Sequence, residues 1–208
     1  MATADVEAVP STGIEPDDLF RISLEVYNSM GELGLLLPDD RVELLDGLLV
    51  KKMTKRPRHT TVTHRVFRRV DSALPAGWYA RMEQPIELPG GPVGDSAPEP
   101  DIAVAVGDLE DYATRHPGPA EVAMLVEVAR DSQALRRDRQ GLKRYAWARI
   151  PVVWIVNLTN DTIEVYTAPS GPHSDPSYGH CDVKRPGDIV ALTIGGAVVE
   201  IPVSEIVR

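Results

Sequence analysis

Three acidic side chains of this 208-residue chain occupy positions where they could do chemistry, because each lies in or beside a predicted β-strand. Asp101 begins an apolar run, Glu127 ends another, and Glu43 lies within a predicted hairpin. An unpaired charge in a hydrophobic strand costs several kcal/mol, so Glu127 needs a partner or a metal ion. Two converging carboxylates and a backbone carbonyl would form an all-oxygen site, which suits Mg²⁺ or Mn²⁺.

Helical and strand patterns predict the elements that must position these carboxylates. Ser23 can cap a helix that ends near Gly34, and Asp46-Gly47 predicts a two-residue hairpin turn. The patterns then predict a basic amphipathic helix at 58–74, strands at 78–88, 101–106 and 122–128, a helix at 132–149, strands at 152–156 and 162–167, and a last hairpin around Gly195-Gly196. We expect a mixed α/β domain over residues 19–208, preceded by a mobile lead-in over residues 1–18.

The distribution of charge says more about partners than the net charge of −9 does. An acidic chain argues against a polyanionic partner, yet residues 51–69 hold eight Lys and Arg and no acid. Residues 128–149 hold seven basic and two acidic side chains. If these two segments share a face, they could bind phosphate; otherwise each is an ordinary solvated helix face.

The remaining features of the sequence bear on the cellular compartment in which the protein is expected. Cys181 is the only cysteine, which excludes an intrachain disulfide and a Cys-rich zinc site and fits a cytoplasmic location. No apolar stretch is long enough to span a membrane, and the first residues do not resemble a signal peptide.

Several segments, read as a set, resemble the Uma-type family of proteins described as putative restriction endonucleases, within the PD-(D/E)XK nuclease superfamily. The resemblance covers about residues 20 to 205. Its segments are Ile22-Ser23 to Tyr27 and Met30, Arg41 to Gly47, His59, Glu83 to Ile86, Pro98 to Val104, Leu125 to Ala129, Asp138-Arg139, Tyr145-Ala146 and Ile150 to Leu158.

The resemblance implies a restriction-endonuclease-like core, a mixed central β-sheet flanked by helices with added β-hairpins, that cleaves phosphodiester bonds with a divalent metal. It makes Asp101 and Glu127 the metal-binding carboxylates, the Val128 carbonyl a third ligand and Glu43 an accessory acid. Substrate contacts are expected from His59, Gln84, Arg58, Arg65 and Arg139. DNA as substrate, a homodimer and no organic cofactor follow as expectations.

The chain departs from the family pattern at the catalytic lysine. The usual position, two residues after Glu127, holds Ala129, which leaves Lys143 on the following helix as the candidate. The segment from 138 to 154 is one residue short, with Gly141 near the expected lysine position, and a one-residue slip turns a helical side chain by about 100°. Arg139 or Arg144 could then face the site instead.

These departures keep three functions open. The first is a Mg²⁺-dependent nuclease, and the second is a nuclease-fold protein that binds nucleic acid or regulates without turnover. The third is a dimerising structural protein. Arg130 favours the second, because a cation close to Glu127 would pair with that carboxylate and compete with metal.

Overall fold

The computed structural model of this chain describes residues 18–52 and 54–207. Within these ranges lie three α-helices, α1 Leu24–Glu32, α2 Pro57–Ala73 and α3 Ser132–Trp147. The strands are β1 Val42–Leu45, β2 Leu48–Lys51, β3 Trp78–Met82, β4 Ile102–Val106, β5 Val122–Ala129, β6 Val152–Asn157, β7 Thr162–Pro169, β8 Tyr178–Lys184, β9 Ile189–Ile194 and β10 Ala197–Pro202. The expected lead-in falls mostly on residues 1–17, outside the described residues.

A six-stranded mixed sheet in the order β3-β4-β5-β6-β7-β8 forms the centre of the fold. Only the β5–β6 pair is parallel, and α3 makes the crossover between these two strands. A parallel pair needs such a long connection, whereas the antiparallel neighbours are joined by turns and loops. The hairpins β1–β2 and β9–β10 are added outside this sheet, so the predicted fold class is confirmed.

The two faces of the central sheet pack against different helices. On one face, Val126 and Trp154 join the core formed with α2 and the β9–β10 hairpin. On the other face, Leu125 and Val153 pack with Tyr145 of α3. Successive strand residues point to opposite faces, so Glu127, two residues after Leu125, lies on the α3 face.

The local signals for turns and caps are confirmed. The Ser23 side chain accepts a hydrogen bond from the Val26 amide at the start of α1, and Gly34 takes a positive φ after its end. Asp46 and Gly47 both have positive φ, as the tight turn between β1 and β2 requires.

Two strand predictions need correction. The strand predicted to reach residue 88 ends at Met82, because Glu83 adopts a left-handed backbone with φ 56° that breaks the ladder. The strand predicted at residues 162–167 runs on to Pro169, and a further strand, β8, begins at Tyr178. The strand β8 carries no apolar pattern because it is an exposed edge strand.

Of the helices in the described residues, none combines the length and the apolar character needed to cross a bilayer.

Candidate catalytic and metal site

Asp101 directly precedes β4, and contacts from two other elements hold its side chain in place. Its Oδ2 accepts a hydrogen bond of 2.8 Å from the backbone N–H of Val128 in β5. His59 of α2 lies 3.2 Å from the same oxygen through Nε2. Since a carboxylate only accepts, His59 donates from Nε2, and its Nδ1 is left to accept from the hydroxyl of Thr63 at 3.5 Å. The second oxygen, Oδ1, faces the ammonium of Lys55 at 3.8 Å.

Pro100 explains why the backbone amide of Val128 can donate a hydrogen bond to the Asp101 side chain. The register pairs Ile102 with Val126, so two residues further along Pro100 lies opposite Val128. Proline has no N–H to donate to the Val128 carbonyl. The Val128 amide donates its hydrogen bond to the Asp101 side chain and not to a backbone carbonyl of the β4–β5 ladder. The end of the β4–β5 ladder therefore presents a carboxylate and a backbone carbonyl in the same place.

Glu127 lies on the α3 face of the sheet, and continuing the register of Ile102 with Val126 by one residue places it opposite Asp101. The Tyr145 hydroxyl donates a 2.6 Å hydrogen bond to Glu127 Oε1. Burial raises the pKa of Glu127 well above its ordinary value, and the nearby carboxylates of Asp138, Asp101 and Glu43 raise it further. The site thus gathers carboxylates that repel one another, which is the condition that a cation relieves.

Asp138 is a member of this group that was not predicted as a site residue. It lies on the inward face of α3, in the row formed by Ala134, Gly141 and Tyr145 at helical spacing. Burial and the charge of Asp101 raise the pKa of Asp138 from 3.8 to about 7. Its spacing of seven residues from Tyr145 is the sequence signal that could have identified it.

A small pocket of about 110 Å³ opens beside Asp101 and Asp138 and has a cationic rim. Acidic and basic side chains from the segments before α2 and β4, from α2, and from α3 and the segment before it meet in this pocket. Its lining residues are Thr54, Lys55, His59, Asp101, Val128, Arg130, Ala134, Arg137 and Asp138.

Glu43 lies further along the same group of carboxylates, on β1. Its Oε2 accepts a hydrogen bond of 3.1 Å from the Glu99 amide, and Glu99 forms an ion pair with Lys52. Burial raises the pKa of Glu43, and the charge of Glu99 adds to the effect. Glu43 contributes to the raised pKa of Glu127, so the structure brings the three predicted carboxylates into one neighbourhood.

The structure does not bring Lys143 to the carboxylates. Its ammonium forms a 2.6 Å ion pair with Asp175 in the loop between β7 and β8, and 63% of its side chain is exposed. At about 100° per residue, Lys143 lies about 140° around α3 from Asp138, away from the inward row. The inward position near the expected lysine is instead the buried Gly141.

The two arginines considered as substitutes for that lysine have other partners. Arg139 makes a bidentate pair with the buried Glu164 of β7, at 2.6 and 3.0 Å. Arg144 makes a bidentate pair of 2.8 Å bonds with Asp46, which fastens the β1–β2 turn to α3. Arg144 therefore supports the hairpin that carries Glu43.

Arg130 does not pair with Glu127 as expected. Its Nε contacts Asp131 at 3.0 Å and its Nη1 donates to the Thr54 carbonyl at 2.6 Å. It is therefore a rim cation that leaves Glu127 available.

The other predicted substrate contacts are dispersed, and among them His59 alone lines the pocket. Arg58 donates to the Leu158 carbonyl at 2.6 Å and pairs with Asp161. Arg65 donates to the Ile206 carbonyl at 2.7 Å. Gln84 was expected on a strand, but it is exposed in the segment after β3.

The donor chemistry fits a hard divalent cation. Asp101 and Glu127 each use one oxygen in hydrogen bonds, and the charges of Asp138, Asp101 and Glu43 act on Glu127. Mg²⁺ commonly takes only one or two carboxylates and keeps several waters. In the part of the chain that the structure describes, no group of three or more His, Cys, Asp or Glu residues is placed so that it could hold a metal ion. The oxygen ligands considered for the cation are therefore the two carboxylates and the Val128 carbonyl.

Comparison with known proteins agrees with the fold and with the resemblance. Residues 29–203 match the model of the Uma2 family, described as a putative restriction endonuclease. No curated protein matches the chain. A solved structure with a similar fold is that of a putative nuclease belonging to DUF820 from Anabaena variabilis, at a TM-score of 0.59 and 14% identity, covering 84% of this chain and 94% of that chain. Because the family model spans most of its residues, this chain belongs to the Uma2 family of putative restriction endonucleases.

Proposed function

We propose that this protein is a nuclease that hydrolyses phosphodiester bonds in DNA with Mg²⁺ or Mn²⁺. The observation that carries the proposal is the proximity of Asp101 and Glu127, which the continued β4–β5 register places opposite one another and whose charges interact, with a cationic rim around Asp101. Burial raises the pKa of Glu127, and the charges of Asp138 and Asp101 raise it further. Such a group of carboxylates is costly for a fold unless it holds a cation.

Asp101, Glu127 and the Val128 carbonyl would hold the ion. A divalent cation at this position supplies charge stabilisation to a phosphate and lowers the pKa of water. The protein's own contribution is to fix these donors: Val128 and His59 orient Asp101, and Tyr145 orients Glu127. The raised pKa of Glu127 means that metal must compete with protons for this site at lower pH.

The rim supports a phosphate backbone as the ligand. Arg130, Arg137 and Lys55 line the same pocket as Asp101 and so place positive charge beside the acids. In the hydrolysis, the attacking water gives up a proton to the solvent as its oxygen bonds to phosphorus, the bond from phosphorus to the leaving sugar oxygen breaks, and that oxygen takes up a proton from the solvent. The negative charge of the transition state spreads over the phosphate oxygens, which face the rim.

The test is cleavage of a supercoiled plasmid and of a single-stranded oligonucleotide with Mg²⁺, Mn²⁺ or EDTA. We expect cleavage with metal only, and a loss of about 10²–10⁴-fold in Asp101→Asn and Glu127→Gln, the range for removal of an essential acid–base or electrostatic group. Asp175→Asn is the matched control, since Asp175 is exposed and pairs with Lys143. A wild type that cuts neither substrate, or acidic-site variants that cut as well as the control, would refute the proposal.

A second candidate is a nuclease-fold protein that binds nucleic acid without cutting it. The specific observations in its favour are Ala129 and Gly141 at the lysine positions and the pairing of Lys143 with Asp175. It predicts binding that weakens steeply with salt and does not depend on metal. Fluorescence anisotropy of a labelled duplex, with Mg²⁺ and with EDTA, separates the two candidates.

We also propose a cytoplasmic homodimer, in which two copies address the two strands of a duplex. Support comes from the lone Cys181 for the reducing location, and from the proposed DNA substrate, whose duplex form has two strands to cut, for the dimer. Sedimentation of the protein alone and with duplex DNA tests the dimer, and a monomer in both conditions would contradict it.

A further inference from the structure

Lys55 is the one lysine that lines the carboxylate pocket among the described residues. Its Nζ lies 3.8 Å from Asp101 Oδ1 and 2.5 Å from Glu83 Oε1. About a third of its side chain, 37%, remains exposed, so the ammonium faces both the acids and the solvent from which a substrate arrives.

The other lysine positions offer no amine to this pocket. Residue 129 is alanine, residue 141 is a buried glycine, and Lys143 pairs with Asp175 on another side of α3. Arg130 and Arg137 also line the pocket, but only Lys55 forms an ion pair with Asp101.

Glu83 holds the Lys55 ammonium close to the Asp101 carboxylate. The Glu83 amide donates to the Asp101 carbonyl at 3.2 Å, and the Glu83 side chain binds the ammonium. Glu83 makes these contacts from a left-handed backbone, with φ 56°, which is uncommon for a residue with a side chain. A backbone conformation of this kind persists where the surrounding structure demands it, and functional sites are common among such places.

We propose that Lys55 is the catalytic cation of this site and that Glu83 is the residue that positions it. The proposal rests on the nuclease function proposed above. Lys55 donates hydrogen bonds to a non-bridging oxygen of the scissile phosphate, where negative charge accumulates, and itself forms and breaks no covalent bond. In this role the ammonium acts as a charge and a donor, since it has no lone pair with which to accept a proton.

The experiment measures kcat, KM and Mn²⁺ affinity for Lys55→Ala, Lys55→Arg and the matched control Lys51→Ala, an exposed lysine at the end of β2. We expect Lys55→Ala to lower kcat about 10²-fold, with KM changed less than about threefold and the loss constant from pH 6 to 9. Lys55→Arg should recover about tenfold of that loss, because it keeps the positive charge. Mn²⁺ affinity, read by electron paramagnetic resonance, should not fall.

Glu83→Gln tests the positioning role. It should lower kcat about tenfold with little change in KM, and the double variant with Lys55→Ala should be no slower than Lys55→Ala alone, because residues that act as a unit are not additive.

The outcomes separate this proposal from the nuclease function. If the wild type cleaves DNA and Lys55→Ala cleaves as fast as Lys51→Ala, the lysine proposal is overturned and the nuclease stands. A loss confined to KM, or one that varies with pH as a titrating base would make it vary, also overturns it. If the wild type does not cleave at all, both proposals fail together.

Discussion

Asp138 provides a test of the carboxylate site that does not depend on enzyme activity. Its carboxyl is buried on the inward face of α3, and burial together with the charge of Asp101 raises its pKa from 3.8 to about 7. The folded protein therefore holds this proton more tightly than the unfolded chain does. Stability from this group is fully present below about pH 4 and is lost as pH rises to about 7.

The magnitude follows from the size of the shift. Each pKa unit corresponds to about 1.4 kcal/mol, so a shift from 3.8 to about 7 amounts to about 4 kcal/mol. Asp138→Asn keeps the shape of the side chain and removes its charge. We expect the variant to exceed the wild type in free energy of unfolding by about 2–4 kcal/mol at pH 8 and to match it near pH 4.

The assay is urea denaturation, followed by tryptophan fluorescence, at intervals from pH 4 to 8 without divalent metal. Asp39→Asn, at an exposed aspartate far along the chain, is the matched control and should leave the pH dependence unchanged. Equal pH slopes for the wild type and Asp138→Asn would refute the reasoning, because they would mean that Asp138 titrates as it does in the unfolded chain.

Three further predictions address the supports of the site. Tyr145→Phe removes the 2.6 Å bond to Glu127, which should cost about 1 kcal/mol of stability and move the onset of Mn²⁺ binding to higher pH, measured by calorimetry across pH. Arg144→Ala breaks the bidentate pair with Asp46 and should lower the free energy of unfolding by about 1–3 kcal/mol in urea; a loss below the error of the fit would contradict the contact. Mn²⁺ at 100 times its dissociation constant should raise the stability of the wild type by about 2.7 kcal/mol. The same addition should leave Asp101→Asn nearly unchanged, and equal stabilisation of both proteins would place the ion elsewhere.

The positions of the carboxylates could be predicted from the sequence because they depend on the apolar patterns of strands. Asp101 and Glu127 each adjoin an apolar run, and antiparallel neighbours with matching ends bring such residues together. The sites of Lys143 and Asp138 could not be predicted in the same way. Whether a helical side chain faces a sheet depends on the rotation of the helix, and one residue changes that rotation by about 100°.

Lys55 was not predicted as a site residue for a related reason. It lies in the segment between β2 and α2, where no periodicity indicates which way a side chain points. Its contact with Glu83 involves a left-handed backbone conformation of Glu83 that the residue type does not predict. The edge strand β8 was missed because both of its faces are largely exposed, so its sequence lacks the apolar alternation that identifies half-buried strands.

The order of residues was enough to predict the family, the mixed α/β class, the helices and turns, and the two acids at neighbouring strand ends. These properties depend on local propensity and on the two-residue period of strands, which short stretches of sequence encode. The tertiary structure decided which charges meet: it turned Lys143 toward Asp175, brought Asp138 to the acids and set Lys55 beside Asp101. Contacts between distant segments depend on how helices and loops pack, and that packing is a property of the whole fold.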